Sequence, residues 1–334
     1  MILRKLTGLL SGLAVVAAGS GVCAQEPDFE TLRLGRHFTT IFQTGSAGDV
    51  WSRMSEEMQA ALGSLDQLTG FQASVRLTFG PQTEMLDEQT ERHGAVRTYR
   101  RHATHASGAE VVWQWSFGPD DRIEGFYVRR VPEEAASEYL EYETRAELRL
   151  PFDGEWHVFW GGRTLEENYH AENPAQRFAY DFVVYKDGKS HGGSGARLTD
   201  YHCWDRPILA PAGGTVFASV DDLPDQAIGE TDARRPAGNH VVLDLGEGEF
   251  VFLAHLRRGS VTVETGERVR SGQEIGRCGN SGNTSEPHLH MHLQTTPNLT
   301  AGEGLPAQFR NYKADGVLQE RGEPVRGETV TVGN

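Results

Sequence analysis

The chain has 334 residues, 38% hydrophobic and 24% charged, which is enough for two globular domains that each bury their own core. A formal charge of −15 at pH 7 argues against nucleic acid or an anionic membrane surface as a partner. Its 39 glycines cluster in the second half, where they favour a turn-rich β architecture.

The first predicted element is a targeting segment. Arg4 and Lys5 make a positive n-region, the run from Leu9 to Ala18 is apolar, and Val22-Cys23-Ala24 supplies small residues before Gln25. Residues 1–24 therefore read as a signal peptide cleaved after Ala24. The apolar run is short for a bilayer span, so the expected location is periplasmic or secreted, with no membrane insertion after cleavage. Cleavage takes the charge from −15 to −17, because Arg4 and Lys5 leave and no acidic residue does. It also leaves two cysteines, Cys203 and Cys278, which in an oxidising compartment predict one disulfide; two independent buried thiols are the alternative.

Residues 25–131 predict an α+β domain. Phe38, Ile41 and Phe42 recur at helical spacing, as do Val50, Trp51, Met54 and Met58 after a break at Thr44-Gly45-Ser46. Another amphipathic stretch runs from Leu65 to Leu77. Three strand-like runs follow, Ala95 to Thr104, Ala109 to Phe117 and Arg122 to Arg130, separated by Gly108 and by Gly118-Pro119-Asp120-Asp121. This order describes helices packed on one face of an antiparallel meander. In element order it resembles the nuclear-transport-factor-like cone domains found ahead of exported enzymes. No catalytic constellation is visible in it, and His93, His102 and His105 read as a solvated polar face. Its expected roles are spacing, substrate presentation or contact with a regulatory partner.

Residues 132–145, rich in glutamate and other polar residues, read as a connector. From 146 to 297 the chain predicts an all-β domain, with strand-like runs at 156–160, 178–185, 207–220, 240–244, 250–256, 261–263, 274–277 and 288–293. Residues 298–334 predict a β extension covering an edge.

The chemistry concentrates in Pro287-His288-Leu289-His290-Met291-His292. On a strand, His288 and His290 point to one face and Leu289 and Met291 to the other, and a histidine pair so placed suits a metal. Upstream lie Gly238-Asn239-His240-Val241-Val242-Leu243-Asp244, Leu253-Ala254-His255-Leu256, Gly272-Gln273-Glu274-Ile275-Gly276 and the loop Gly276 to Gly282. In this order and spacing the blocks closely resemble the lysostaphin-type peptidase domain, with its groove over an antiparallel sheet, from about Phe178 to Leu293.

The resemblance implies one zinc per chain, with His290 and Asp181 as ligands and His255 and His288 as catalytic histidines that do not ligate. It also implies hydrolysis of peptidoglycan stem peptides or cross-bridges by zinc-activated water. The sequence departs from the family at Arg177, which stands four residues before Asp181 where a histidine ligand is usual; a guanidinium offers zinc no lone pair. His170, eleven residues before Asp181, is the expected substitute, with His157 as competitor. His292 is expected not to ligate, at about 7 Å from His290 by strand rise, and to stand in the rim or behind the ligands. His191, His202 and His240 read as loop or structural residues, and residues 221–238 as a wall of the groove. A regulator of another cell-wall hydrolase that has lost activity, or an exported peptidase acting on proteins and peptides, are the alternative functions.

Overall fold

The structure is a computed structural model that describes residues 28–333; the expected signal peptide, residues 1–24, lies outside them. The chain divides into two compact units between Val131 and Pro132. Each has its own hydrophobic core.

The first unit opens with four helices, α1 (Phe29–Thr44), α2 (Ala47–Trp51), α3 (Glu56–Leu62) and α4 (Leu65–Phe79). Each starts where a short polar side chain takes up a free backbone N–H: Asp28 accepts from Thr31, Ser46 from Gly48, Ser55 from Met58 and Ser64 from Gln67. The expected break at Thr44-Gly45-Ser46 is where α1 yields to α2. The meander has four strands, β1 (Gln82–His93), β2 (Val96–His105), β3 (Glu110–Phe117) and β4 (Ile123–Arg130), in sequential antiparallel order. Trp113, Trp115 and Phe126 on one face pack against Phe38 and Phe42 of α1.

Strand β1 was not foreseen. It is an edge strand exposed along most of its length, so its sequence carries no alternation of apolar and polar residues. His93, His102 and His105 have separate surroundings in this unit. His105 is a core residue: its Nδ1 donates to Gly80 O (2.9 Å) and its Nε2 accepts from Trp113 Nε1 (3.1 Å). His102 pairs with Glu110 at 2.9 Å, and His93 lies at the exposed end of β1.

The second unit contains β5 (Trp156–Trp160), β6 (Tyr180–Val183), β7 (Pro207–Leu209), β8 (Gly214–Val220), β9 (Asn239–Gly246), β10 (Glu249–Leu256), β11 (Arg268–Val269), β12 (Glu274–Arg277) and β13 (Leu289–Gln294). After these come β14 (Gly304–Leu305), β15 (Phe309–Ala314), β16 (Val317–Gly322) and β17 (Thr329–Val332). Among the described residues eleven strands form one antiparallel sheet in the order β11-β8-β9-β10-β13-β6-β5-β17-β15-β16, with β14 on β13. β7 and β12 pair separately. The run at 261–263 is not a strand.

The C-terminal residues cover the β5 edge through β17 and prolong the sheet beyond it. Residues 132–145 pack into this unit. Buried Glu249 accepts from Tyr142 Oη (2.9 Å), Arg145 N (2.6 Å) and Ala146 N (2.9 Å), and Thr144 Oγ1 donates to Pro306 O. Cys203 and Cys278 meet in the core as free thiols with sulfurs 2.9 Å apart. Among the described residues no helix is long and apolar enough to cross a membrane.

Candidate metal centre

Strand pairing brings the centre together. In the β13–β6 ladder His290 stands opposite Asp181, and in the β13–β10 ladder it stands opposite Ala254, the residue before His255. Leu289, Met291 and Leu293 enter the core, so His290 and His292 share the other face. His170 arrives from outside the sheet, on a 3₁₀ turn, Tyr169–Glu172.

His170, Asp181 and His290 form a buried group whose nearest donor atoms all lie within 4.8 Å of one another. His290 Nδ1 is 2.8 Å from Asp181 Oδ1, and His170 Nε2 is 3.6 Å from Asp181 Oδ2. Two imidazoles and a carboxylate on one point are a donor set suited to zinc, and three protein ligands leave a position open. The tautomer of His170 agrees with this fit. The Asn168 amide donates to Gly162 O and Ala179 O, so its Oδ1 accepts from His170 Nδ1 at 2.8 Å and leaves the Nε2 lone pair facing Asp181.

His255 and His288 flank the group. The rings of His255 and His288 are 4.8 Å apart between centroids, and those of His255 and His290 5.7 Å. His255 sits at a bulge in the β9–β10 ladder with φ +60°, a left-handed conformation that turns its side chain off the regular alternation. Its Nδ1 donates to Ser281 O at 2.8 Å. That carbonyl is placed by a close crossing of two turns, where a Cβ on Gly238 would stand 2.2 Å from Ser281 O. His288 Nδ1 donates to Glu286 O (2.9 Å), and its Nε2 is 3.5 Å from Asp181 Oδ1.

Burial lowers the pKa of His170 to about 3, despite the opposing pull of Asp181. Burial likewise holds His255 and His292 well below the ordinary value. For His288 the burial effect is overcome by the Asp181 carboxylate, and its pKa is raised. Burial alone would raise the Asp181 carboxyl, but the imidazoles around it hold it well below the usual range. A cleft of about 480 Å³ is lined by His170, His255, His290 and His292, with Pro236, Ala237, Leu299 and Thr300 also in its walls. Part of the 221–238 segment thus borders the cleft, in line with its expected place.

Arg177 is buried and turned to structural use. Its Nη1 donates to Ala171 O at 3.1 Å, its Nη2 is 3.5 Å from Glu134, and its guanidinium packs on Phe178. The residue at the usual ligand position therefore braces the turn that delivers His170. His157 stacks on Tyr185, with centroids 4.5 Å apart, and is not a member of the group. His191 packs near Tyr201, and His240 Nδ1 meets Gly238 O.

His292 takes the second of its two expected places, directly behind a ligand and not in the rim. The strand rise fixes the backbone spacing, but the two rings lean together, so His292 Nδ1 is 3.0 Å from His290 Nε2 and the ring is buried. Asn168 was missed as the partner of His170, and its one local hint was an amide two residues from a histidine.

Residues 197–301 match the model of Peptidase family M23. The match contains His255, His288 and His290 and ends short of His170 and Asp181. The chain is 36% identical over 90 residues to the peptidoglycan DD-endopeptidase ShyA of Vibrio cholerae, covering 25% of this chain and 20% of that protein. It is 32% identical over 105 residues to the peptidoglycan DD-endopeptidase ShyC of the same organism, covering 31% and 20%. The matched stretch thus spans about a fifth of the length of these relatives. Among solved structures, the catalytic domain of lysostaphin from Staphylococcus simulans aligns at 17% identity over 45% of this chain and 86% of that one, with a TM-score of 0.28, too low to bear on function. Over residues 197–301 the second unit carries a domain of the lysostaphin-type peptidases, Peptidase family M23.

Proposed function

We propose that the protein is an exported zinc metalloendopeptidase that hydrolyses peptide bonds in peptidoglycan stem peptides or cross-bridges, with Cys203 and Cys278 joined once it is exported. The observation that carries the reading is the meeting of His170, Asp181 and His290 beside two further histidines in an open cleft. The peptidoglycan substrate is inferred from the activity for which the two Vibrio relatives are named, which share only the matched stretch.

His170 Nε2, an Asp181 oxygen and His290 Nδ1 would hold the zinc. When bound, zinc supplies Lewis-acid polarisation of the scissile carbonyl and lowers the pKa of a water to about 7. His255, kept neutral by burial and with Nδ1 committed to Ser281 O, offers an Nε2 lone pair that takes the proton from the attacking water. His288, whose Nδ1 donates to Glu286 O and whose pKa the Asp181 carboxylate raises, donates in its protonated form from Nε2 to the developing oxyanion, and the proton taken up by His255 passes to the leaving amine.

The test is release of new amino groups from purified peptidoglycan, abolished by a chelator and restored by zinc. A zinc-loaded protein that releases none from peptidoglycan of either major cross-link chemistry, yet cleaves a protein substrate, would favour the general peptidase; one that cleaves neither would favour the regulator.

A further inference from the structure

Two buried polar atoms beside the metal centre have no hydrogen-bond partner: His292 Nε2 and Gln294 Oε1. His290, His292 and Gln294 lie on one face of β13, two residues apart, and all three are buried. The Gln294 amide can stand only one way. Its nitrogen is 2.6 Å from Thr296 O and 2.8 Å from Asn298 O, and two carbonyls require the NH₂ end. Gly302 leaves room for it, since a Cβ there would be 3.1 Å from the Gln294 amide carbon. The oxygen is therefore the free end, two residues along the same strand face from the unpartnered His292 Nε2, and an oxygen can serve that ring only as an acceptor. At the other end of the ring, His292 Nδ1 is 3.0 Å from His290 Nε2, a contact in which one nitrogen must carry the proton and the other the lone pair. Stacking of the His292 ring on Phe252, at 4.5 Å and 11°, fixes its plane.

We propose that Gln294 and His292 are positioning residues that set the tautomer of His290. The Gln294 oxygen keeps the His292 proton on Nε2, so His292 Nδ1 accepts from His290 Nε2–H. The His290 lone pair is then committed to Nδ1, the nitrogen beside Asp181. With the opposite order His290 Nε2 would have to accept, and a proton on Nδ1 would stand where the metal belongs. The proposal rests on the zinc reading of His290. It assigns to the loop carbonyls at Thr296 and Asn298 the orientation of a metal ligand two side chains away. Partners of this kind typically change metal affinity about 10–100-fold.

Two measurements on the full mature chain test it. Long-range ¹⁵N–¹H correlation spectra of the metal-free protein should place the His292 proton on Nε2; a proton on Nδ1 would overturn the relay. In chelator competition, His292→Phe and Gln294→Met should each bind zinc about 10–100-fold more weakly. His292→Gln should stay near the wild type, because its amide can accept from His290 and donate to Gln294 in the same order. Wild-type affinity in both apolar variants would overturn the proposal, as would a loss in His292→Gln equal to that in His292→Phe. Unfolding midpoints of each variant separate a lost relay from a lost fold. A wild type that binds no zinc would sink the zinc reading instead, and the spectrum of the metal-free chain would still decide the relay.

Discussion

Each histidine around the centre has one ring nitrogen committed elsewhere: His170 to Asn168, His255 to Ser281 O, His288 to Glu286 O and His290 to His292. The other nitrogen is thereby fixed as the one that faces the centre. The residues nonetheless differ in what their loss should do. His290→Ala removes a ligand, so zinc and activity should vanish together in elemental analysis and in the amino-group assay. His288→Ala removes a proton-handling group and leaves the three ligands in place. It should retain about one zinc per chain and lose about 10²–10⁴ in rate. Loss of zinc from His288→Ala would make His288 a ligand and reverse the division proposed above. Arg177 shows why residue type had to be read with position. A histidine was expected there by resemblance, and the guanidinium instead braces the turn carrying His170. The sequence named His170 only as the better of two candidates, because eleven residues of irregular chain give no periodicity from which to infer where a side chain ends up.

At the scale of elements, the strands were more legible than the segments between them. β13 was clear from its alternation, and the central strands from apolar runs bounded by glycine. β1 was hidden because an exposed edge strand needs no apolar face. Residues 132–145 read as a connector because they are acidic and polar, yet two of them, Tyr142 and Arg145, donate to the buried carboxylate of Glu249. A protein starting at Pro132 should therefore be more stable than one starting at Ala146, by about 3 kcal/mol or more, since the shorter form strips donors from a buried acceptor. Urea unfolding of the two forms checks this, and equal midpoints would count against it. The two cysteines lie 75 residues apart in sequence and meet in the core. Oxidation should join them and add about 2–4 kcal/mol by restricting the unfolded chain. Thiol titration of denatured, unreduced protein taken from the periplasm or medium should find no free thiol; two would rule out the bridge.

For the molecule as a whole, the buried histidines couple folding to pH. His170, His255 and His292 have folded pKa values below the ordinary 6.5, so each binds a proton more readily when unfolded. Their effect is loss of stability as pH falls below about 6.5. His288 works the other way: its raised pKa adds stability that is present below 6.5 and lost as pH rises through its folded value. Three groups outweigh one, so the metal-free second unit should lose stability on acidification from pH 7.5 to 5.5, by up to about 1.4 kcal/mol per pH unit for each net proton. Hydrogen exchange of the β10 and β13 amides in chelator-treated protein measures it. Constant protection across that range would mean that these histidines are not held neutral.

The sequence by itself determined most of the elements, β1 aside, and the histidine-bearing strand, because alternation and glycine turns act over a few positions. It also determined which residue types could hold zinc, since donor chemistry belongs to the side chain. Only the tertiary structure decided which residues meet. His170 joins Asp181 through a 3₁₀ turn, His255 is redirected by a bulge, and the Gln294 amide is oriented by two loop carbonyls. These outcomes depend on strand register and on hydrogen bonds between distant segments, and neither leaves a local period in the chain.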